Sequence, residues 1–511
     1  MSTPAPARPV KRLLFLLLLL LAPAGAATSQ LPTTRPLAIT HVTVIDATGA
    51  APAADMTVLV RNGRIAAIGR SRRVVVPAGA LVIDGKGRYL IPGLWDMHVH
   101  QAIGALDPAT TGTAGLRSNR QYTFPMFLAN GVVGVREMAG DLAVINAWRA
   151  EVASGHVLGP RIVATGQKLG DAPVVPGAPF PLRTAEDVRE SVRALERAGA
   201  DFVKLGKVPS HLAPILANES RRRGIPFLGH LSTESRLTTM SNLGQRSIEH
   251  LGGVLLACSA TEAEDRERAI AAANPGLVVR AARRFDLLEP RPYPMLRVAD
   301  SYDEAKADSL FELLARNQTW QVPTFRLLAR MARLPAPESW PGPRAYYPRP
   351  LGPDTLPGPD TPAAALSPPR RIHDRLMVAV RGMRKAGVRF MTGSDTPTYY
   401  ALPGFSLHDE LALMVDAGFS PLEALQAATI GPAEFMNARD SLGSVEVGRV
   451  ADLVLLEADP LADIRNVRRI DAVVVGGRLL TRAIRLEMLA DAERLATRWR
   501  TGTATARPAG L

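Results

Sequence analysis

Cysteine and aromatic residues are scarce in this sequence. Cys258 is the single cysteine among 511 residues, so no disulfide can form within the chain and the fold must depend on its core. No nucleophile signature surrounds Cys258, which favours a structural role over a catalytic one. Aromatic residues make up 5% and the basic residues are scattered, so a net charge of +13 does not indicate a nucleic-acid partner.

Long apolar runs are also scarce. The run at 13–21 is shorter than the ~20 residues that cross a bilayer. Basic residues precede it and small residues follow it, which is the pattern of an export signal. We therefore predict a signal peptide over residues 1–27, a periplasmic or secreted protein, and no stable membrane span after signal removal. An uncleaved membrane anchor is the alternative.

Short β-branched runs occur near both ends of the chain. They lie at 38–45, 56–60, 64–68 and 80–83, and again at 452–456 and 471–475, and Asn62-Gly63 is a hairpin signal. We predict a composite β-sandwich domain built from residues 36–92 and 440–482. It would enclose a central domain of residues 93–439, and a helix and tail would follow at 483–511.

The central part alternates short apolar strands with helical patterns. The predicted strands lie at 94–98, 132–136, 161–164, 202–205, 226–230, 247–250, 320–324 and 388–392. Eight such units predict an α/β fold, a (β/α)8 TIM-type barrel. A doubly wound open sheet is the competitor, but it would place a glycine-rich phosphate turn where His98-Val99-His100 stands.

Two stretches between the predicted strands exceed normal loop length. Residues 251–317 have a mostly helical sequence pattern. Residues 335–369 are rich in proline and glycine and follow the seventh predicted strand. In a barrel this second stretch would lie on the catalytic face, where we expect a lid or substrate-shaping loop; an insertion without such a role is the alternative.

Potential metal ligands stand at the ends of several predicted strands. They are His98, His100, His230, His250 and Asp395. The carboxyl ends of parallel barrel strands meet at one face, so these side chains would converge. A buried, hydrogen-bonded histidine is the default for each alone, but the group together predicts a site for one or two divalent ions, with Zn²⁺ favoured by the imidazoles.

Lys204 lies inside the fourth predicted strand, where a charged ammonium would be costly. A neutral Lys204 could react with CO₂ to give a carbamate that bridges two metal ions. The alternative is a lysine paired with a carboxylate at the barrel rim.

The metal-site hypothesis predicts hydrolysis. Bound metal would lower the pKa of water toward ~7 so that it attacks a carbonyl. Asp395 would take the proton and pass it to the leaving amine. His250 or a metal would polarise the carbonyl oxygen.

In order, His98, His100, Lys204, His230, His250 and Asp395 match the ligand set of the amidohydrolase superfamily. Segments 131–138, 159–161, 247–250, 427–429 and 442–453 resemble its imidazolonepropionase-like and prolidase-like (Xaa-Pro dipeptidase-type) branch. The resemblance spans about 37–480 and implies a barrel with a composite β-sandwich and hydrolysis at a carbon–nitrogen bond. It further implies that His98, His100 and Asp395 hold a first metal, that His230 and His250 hold a second, and that carboxylated Lys204 bridges them.

Some features depart from that branch or stand beside its ligand set. Leu231-Ser232-Thr233 follows His230, where dipeptidase-like members often carry a tyrosine. The signal and insertions do not suit a cytosolic imidazolonepropionase. Arg136 and Glu249 lie at predicted strand ends and could contact substrate or the ligands. His408 and Glu410 lie after the eighth predicted strand and could contact substrate, cap a helix or support the ligands.

Three functions follow from these residues. The first is an exported metal-dependent hydrolase of an amide or peptide-like bond in a small molecule, such as an N-acyl amino acid or a dipeptide. The second is a lactone, ester or cyclic-amide hydrolase on the same site. The third is a metal-binding protein without catalysis, and a homo-oligomer is compatible with all three.

Overall fold

The computed structural model describes residues 35–107, 109–273, 294–332, 345–348, 363–397 and 401–502. The strands in these residues are β1 (Leu37–Val44), β2 (Ala53–Arg61), β3 (Arg64–Arg70), β4 (Leu81–Asp84), β5 (Tyr89–Pro92), β6 (Leu94–Val99), β7 (Val132–Glu137), β8 (Arg161–Ala164), β9 (Val203–Leu205), β10 (Phe227–Gly229), β11 (Ser247–Glu249), β12 (Trp320–Val322), β13 (Leu453–Leu456), β14 (Ile470–Val475) and β15 (Arg478–Leu480).

Helices follow most of the central strands. They are Gly112–Ala129, Leu142–Ala153, Ala185–Arg197, Ala213–Arg223, Leu237–Asn242, Val254–Ala257, Glu262–Ala273, Pro294–Asp300, Glu304–Arg316, Phe325–Met331, Ala363–Lys385, Phe405–Asp416, Pro421–Ala427, Ile430–Phe435 and Arg482–Thr501, with 3₁₀ turns at Ser210–Leu212 and Ile464–Arg468. The helices between Val254 and Arg316 confirm the helical pattern predicted for 251–317 in the residues described there. The helix Arg482–Thr501 confirms the helix predicted near the C-terminal end.

Strands from both ends of the chain share one sheet. Its order is β15-β14-β13-β5-β1-β2-β3, and β4 pairs with β1. The junction is the antiparallel pairing of β13 with β5, where Leu453 lies opposite Pro92. The Asn62-Gly63 hairpin is confirmed, with both residues at positive φ between β2 and β3. The sandwich arrangement and the domain limits stay predictions.

The central domain is of the TIM-barrel type, with parallel strands alternating with helices. The strands form two parallel sheets, β6-β7-β8 and β12-β11-β10-β9. Residues flanking the edge strands β8 and β9 connect the two sheets: Asp201, before β9, donates its backbone N–H to Ala164 of β8, and Leu169, after β8, donates to Lys204 of β9. Seven of the predicted central strands are therefore confirmed, with ends that differ by a few residues.

The eighth predicted strand, at 388–392, is wrong as a regular strand. The segment makes isolated contacts instead: the Met391 N–H donates to Gln321, and the Met97 N–H donates to the Thr392 carbonyl. The Thr392 N–H turns away to Ala427, and Asp395 adopts a φ of 58°. These two departures interrupt a regular ladder while leaving the segment between β12 and β6.

The helix Arg482–Thr501 packs on the helix Gly112–Ala129. The rings of Tyr122 and Trp499 lie 5.5 Å apart, and Arg485 Nε donates to the Ala129 carbonyl at 2.8 Å. No helix among the residues described here has the length and apolar character needed to cross a membrane. The predicted signal at 1–27 and most of the 335–369 insertion lie outside the described residues.

The core beneath the central strands leaves no room at Gly134 on β7. A Cβ atom there would lie 2.2 Å from Cε2 of the buried Trp95 on β6. The missing side chain therefore lets the indole lie flat against the neighbouring strand.

We expect Gly134→Ala to lower the free energy of unfolding by about 1–3 kcal/mol, the usual cost of overpacking a tight core. Gly104→Ala is the control, since nothing lies within 4 Å of the position of its Cβ. Denaturant titration of both variants measures the effect. Equal unfolding midpoints for the two variants would contradict this account of the core.

Candidate metal centre

Three predicted ligands converge at one point. His98 and His100 stand two apart at the end of β6, so their side chains share one side of the strand. Asp395 Oδ1 lies 3.3 Å from His98 Nε2 and 3.1 Å from His100 Nε2, and the two Nε2 atoms are 3.2 Å apart. Two imidazoles and a carboxylate so arranged form a donor set suited to a divalent ion.

A buried carboxylate fixes the orientation of His98. Glu249 Oε2 lies 2.7 Å from His98 Nδ1, and both side chains are fully buried. An ionised carboxylate can only accept, so His98 donates through Nδ1–H and keeps the Nε2 lone pair for the cluster. Burial is the largest cause that holds the pKa of His98 well below its usual value, which favours the neutral, metal-binding form.

Arg136 neutralises Glu249 behind the cluster. Its Nη2 lies 3.1 Å from both carboxylate oxygens, and its Nε donates to the Met97 carbonyl at 2.6 Å. Ser247 Oγ donates to Glu249 Oε1 at 2.6 Å. Arg136 and Glu249 were predicted to contact either substrate or the ligands. Their charged atoms face one another behind His98, so the geometry supports a role in orienting a ligand.

His250 also has a fixed tautomer. Its Nδ1 lies 2.7 Å from Thr324 Oγ1, whose hydroxyl donates to the Pro323 carbonyl at 2.7 Å. The hydroxyl proton is thus used, so Nδ1–H of His250 is the donor and Nε2 is left for a metal. The imidazole ring of His250 lies 4.6 Å from that of His98 and 5.3 Å from that of His230, measured between centroids.

Three buried polar atoms near this cluster lack hydrogen-bond partners among the described residues. They are Lys204 Nζ, His230 Nε2 and His100 Nδ1. Leaving such atoms unpaired is costly, so each indicates a group that binds there. Burial lowers the pKa of Lys204 to about 7 and that of His250 to about 4, and it also lowers the pKa of His230. The donor set therefore fits one or two divalent ions.

Asp395 is ionised despite its burial. Burial acts to raise its pKa, but the hydrogen bond with His100 and the electrostatic effects of His100, His250 and Lys204 together outweigh it, so the pKa lies below its usual value. The φ of 58° at Asp395 brings its carboxylate over His98 and His100. A proton acceptor thus lies among the candidate ligands.

A cleft opens beside His230. Its volume is about 460 Å³, and Leu231, Ser232 and Thr233 contribute to its wall together with Asp171 and Lys207. The residues that replace the expected tyrosine therefore face open space next to a candidate ligand.

The sequence did not single out Asp96 or Thr324. Asp96 accepts hydrogen bonds from the Ser394 N–H at 2.9 Å, the Ser394 hydroxyl at 2.5 Å and the His98 N–H at 3.3 Å. It thereby joins β6 to the segment that carries Asp395. A carboxylate inside the apolar run at 94–97 was the available signal for Asp96.

Two further candidates lie apart from the cluster. His408 Nε2 lies 2.9 Å from the Asn130 carbonyl, at the start of β7, whereas the candidate ligands lie at strand carboxyl ends. Substrate binding by His408 stays a prediction without support from this geometry. Burial raises the pKa of the Cys258 thiol to about 12, in keeping with the structural role expected for it.

We expect Glu249→Gln to lower metal affinity about 10- to 100-fold, because His98 loses the charged acceptor that orients it. It should also lower the free energy of unfolding by roughly 3 kcal/mol, since Arg136 is left buried without its counter-charge. Isothermal titration with Zn²⁺ and denaturant unfolding measure both effects. Glu457→Gln, which alters an outer pair with Arg482, is the control and should change neither appreciably. Wild-type affinity in Glu249→Gln would refute the orienting role.

Parts of this chain are similar in sequence to known proteins. Residues 364–480 match the amidohydrolase family. An adenine deaminase of Paracoccus denitrificans (strain Pd 1222) is 33% identical over 125 residues, which is 23% of this chain and 21% of the relative. An adenine deaminase of Moorella thermoacetica (strain ATCC 39073 / JCM 9320) is 24% identical over 483 residues, covering 89% of this chain and 62% of the relative. The chain thus spans about a fifth of the first curated relatives it matches.

A solved structure extends the likeness across the fold. A Xaa-Pro dipeptidase with methionine bound in its active site superposes with a TM-score of 0.62 at 19% identity, covering 87% of this chain and all of the other. At this identity the likeness concerns the fold alone. The chain thus resembles the amidohydrolase superfamily in the family match over residues 364–480, in its fold and in the convergence of His98, His100 and Asp395.

Proposed function

We propose that this protein is an exported, metal-dependent hydrolase that cleaves a carbon–nitrogen bond, amide or peptide-like, in a small molecule. The observation that carries the proposal is the convergence of His98, His100 and Asp395 beside buried, unpartnered atoms of Lys204 and His230. Export to the periplasm or the exterior is supported by the signal pattern at the N-terminal end of the sequence.

The scaffold behind this site is proposed to be a closed (β/α)8 barrel with a composite β-sandwich. Hydrogen bonds from residues flanking β8 and β9, and between the 389–396 segment and the neighbouring β12 and β6, support closure. The shared sheet of the two chain ends supports the composite domain. A closed barrel would bring all the ligand-bearing strand ends to one mouth.

His98, His100 and Asp395 would hold one divalent ion, and His230 and His250 a second, with Zn²⁺ favoured by the neutral imidazoles. Ions bound there would lower the pKa of water toward ~7 and polarise a carbonyl oxygen. Asp395 Oδ2 or Oδ1 would accept the proton of the attacking water and deliver it to the leaving nitrogen. His250 stands among the ligands and would also help to polarise the carbonyl.

Lys204 is proposed to carry a carbamate. The neutral amine would attack CO₂, forming an N–C bond and releasing one proton, and the resulting anion would bridge the two ions. Support comes from the unpartnered Nζ and from a pKa lowered to about 7 by burial. The rim ion pair considered from the sequence has less support, since no hydrogen-bond partner of Nζ lies among the described residues.

The substrate is proposed only by class. The similar proteins are named adenine deaminases and Xaa-Pro dipeptidase, names that share cleavage at a carbon–nitrogen bond but differ in substrate. N-acyl amino acids, dipeptides and cyclic amides, with lactones and esters as the alternative, form the panel to assay with and without a chelator. Turnover of the oxygen esters alone would favour the alternative function. Metal binding without any turnover would favour a non-catalytic role.

We expect Asp395→Asn to keep the fold and to lose turnover by orders of magnitude, because the proton acceptor is gone. Initial rates, circular dichroism and metal content are measured together, so that loss of proton transfer is distinguished from loss of bound metal. Asp308→Asn, on an exposed helix position, should behave as wild type. Undiminished turnover in Asp395→Asn would remove the residue from the proton path.

We expect bicarbonate to increase Zn²⁺ uptake by the metal-free protein, and to do so more at about pH 8 than at about pH 6. The reason is that the neutral fraction of Lys204 rises as pH passes its pKa of about 7. Lys204→Met should abolish the bicarbonate effect, whereas Lys207→Met should retain it. If bicarbonate does not change Zn²⁺ uptake at either pH value, Lys204 is unmodified.

A further inference from the structure

Thr324 adopts an unusual backbone conformation where it contacts His250. Its φ is 51° and its ψ is 55°, in the left-handed region that β-branched residues rarely enter. In this conformation its hydroxyl accepts from His250 Nδ1 at 2.7 Å. A residue held in so unfavourable a region needs contacts that over-determine it.

Thr324 also stands at the N-cap of the helix Phe325–Met331 without capping it, because its side chain makes no capping hydrogen bond. The first N–H groups of a helix have no partner within the helix and need one from elsewhere. Because the Thr324 hydroxyl binds His250, another residue must accept the hydrogen bonds of the first N–H groups of this helix.

Glu410 supplies the missing acceptor from the helix Phe405–Asp416. Its Oε1 accepts the Phe325 N–H at 2.8 Å and its Oε2 accepts the Arg326 N–H at 3.0 Å. The carboxyl group is fully buried. Arg326 is further bound through Nε to Ser406 Oγ at 3.0 Å. The capping role considered for Glu410 from the sequence is thus confirmed, on a helix other than its own.

We propose that Glu410 is a positioning residue for His250: by capping Phe325 and Arg326 it holds Thr324 where the threonine hydroxyl fixes the imidazole tautomer and aims Nε2 at the metal. The inference rests on the proposed function, in that His250 is taken to be a metal ligand. It adds a contact path from Glu410 through the helix start and Thr324 to His250.

A plain capping role makes a different prediction. If Glu410 only stabilises the helix start, its loss lowers the free energy of unfolding and leaves metal affinity unchanged. If Glu410 acts through Thr324, its loss weakens metal binding as well. Removing both residues should then cost no more affinity than removing Thr324 alone, since they lie on one path.

The experiment measures Zn²⁺ dissociation constants of the full chain by competition with a chromophoric chelator, and the visible absorption of the Co²⁺-loaded protein. We expect Glu410→Gln to weaken binding about 10-fold, because the amide offers one acceptor for two N–H donors. Thr324→Val should weaken binding at least as much, Thr324→Ser should restore it, and the double variant should match Thr324→Val. Glu423→Gln is the control: Glu423 accepts at another helix start, from Ser420 N–H, and pairs with Arg384.

Wild-type Zn²⁺ affinity and Co²⁺ absorption in Glu410→Gln, with only a lowered unfolding midpoint, would overturn the inference. Additive losses in the double variant would overturn it too. If Glu410→Gln does not fold, Glu410→Asp replaces it, since the shorter side chain keeps the carboxyl group but cannot reach both donors. Failure of the wild type itself to bind Zn²⁺ would instead overturn the proposed function.

Discussion

The burial of the ion pair between Arg136 and Glu249 is the constraint on which the candidate site depends. Both side chains are shielded from water, so neither charge can be left without the other. The pair therefore fixes β7 against β11, and the second function of Glu249, as acceptor for His98 Nδ1, follows from that fixed position. On the other side of the site, the Thr324 hydroxyl donates its hydrogen bond to the Pro323 carbonyl, so it can only accept from His250 Nδ1–H. His98 and His250 thus both leave Nε2 for a metal, because a carboxylate accepts from Nδ1–H of the first and a hydroxyl accepts from Nδ1–H of the second.

Much of the site could be predicted from the sequence because it depends on one rule of the fold. Residues at or just after the carboxyl ends of barrel strands gather at one face, and His98, His100 and Asp395 do so. His250 and His230 follow in the same ring cluster. The rule works because it needs only the strand order and the position of each residue within its strand.

The sequence could not predict features that depend on backbone geometry. Thr324 acts through a left-handed backbone conformation, which has no side-chain signature. A capping role for Glu410 was expected, but the sequence did not show which main-chain N–H groups it would bind. The eighth strand failed for a related reason: an apolar run at 388–392 does not reveal that the Thr392 N–H turns to Ala427. Arg136 and Glu249 were located correctly at strand ends. Their mutual pairing, which changes their role, depends on the distance between β7 and β11 and was not available from spacing.

The junction of β5 with β13 bears on how the protein reaches its native state. Strand β5, next to the first candidate ligands, pairs on one side with the nearby β1 and on the other side with β13, near the other end of the chain. Bringing β5 and β13 together closes a long loop, which lowers the conformational entropy of the chain before the pairing can stabilise the fold. Contacts between residues so far apart in the sequence also slow folding. A ribosome-bound chain that lacks its last hundred residues would leave the β13 side of β5 unpaired. The strand before the ligand-bearing β6 is therefore fully paired only when synthesis is nearly complete.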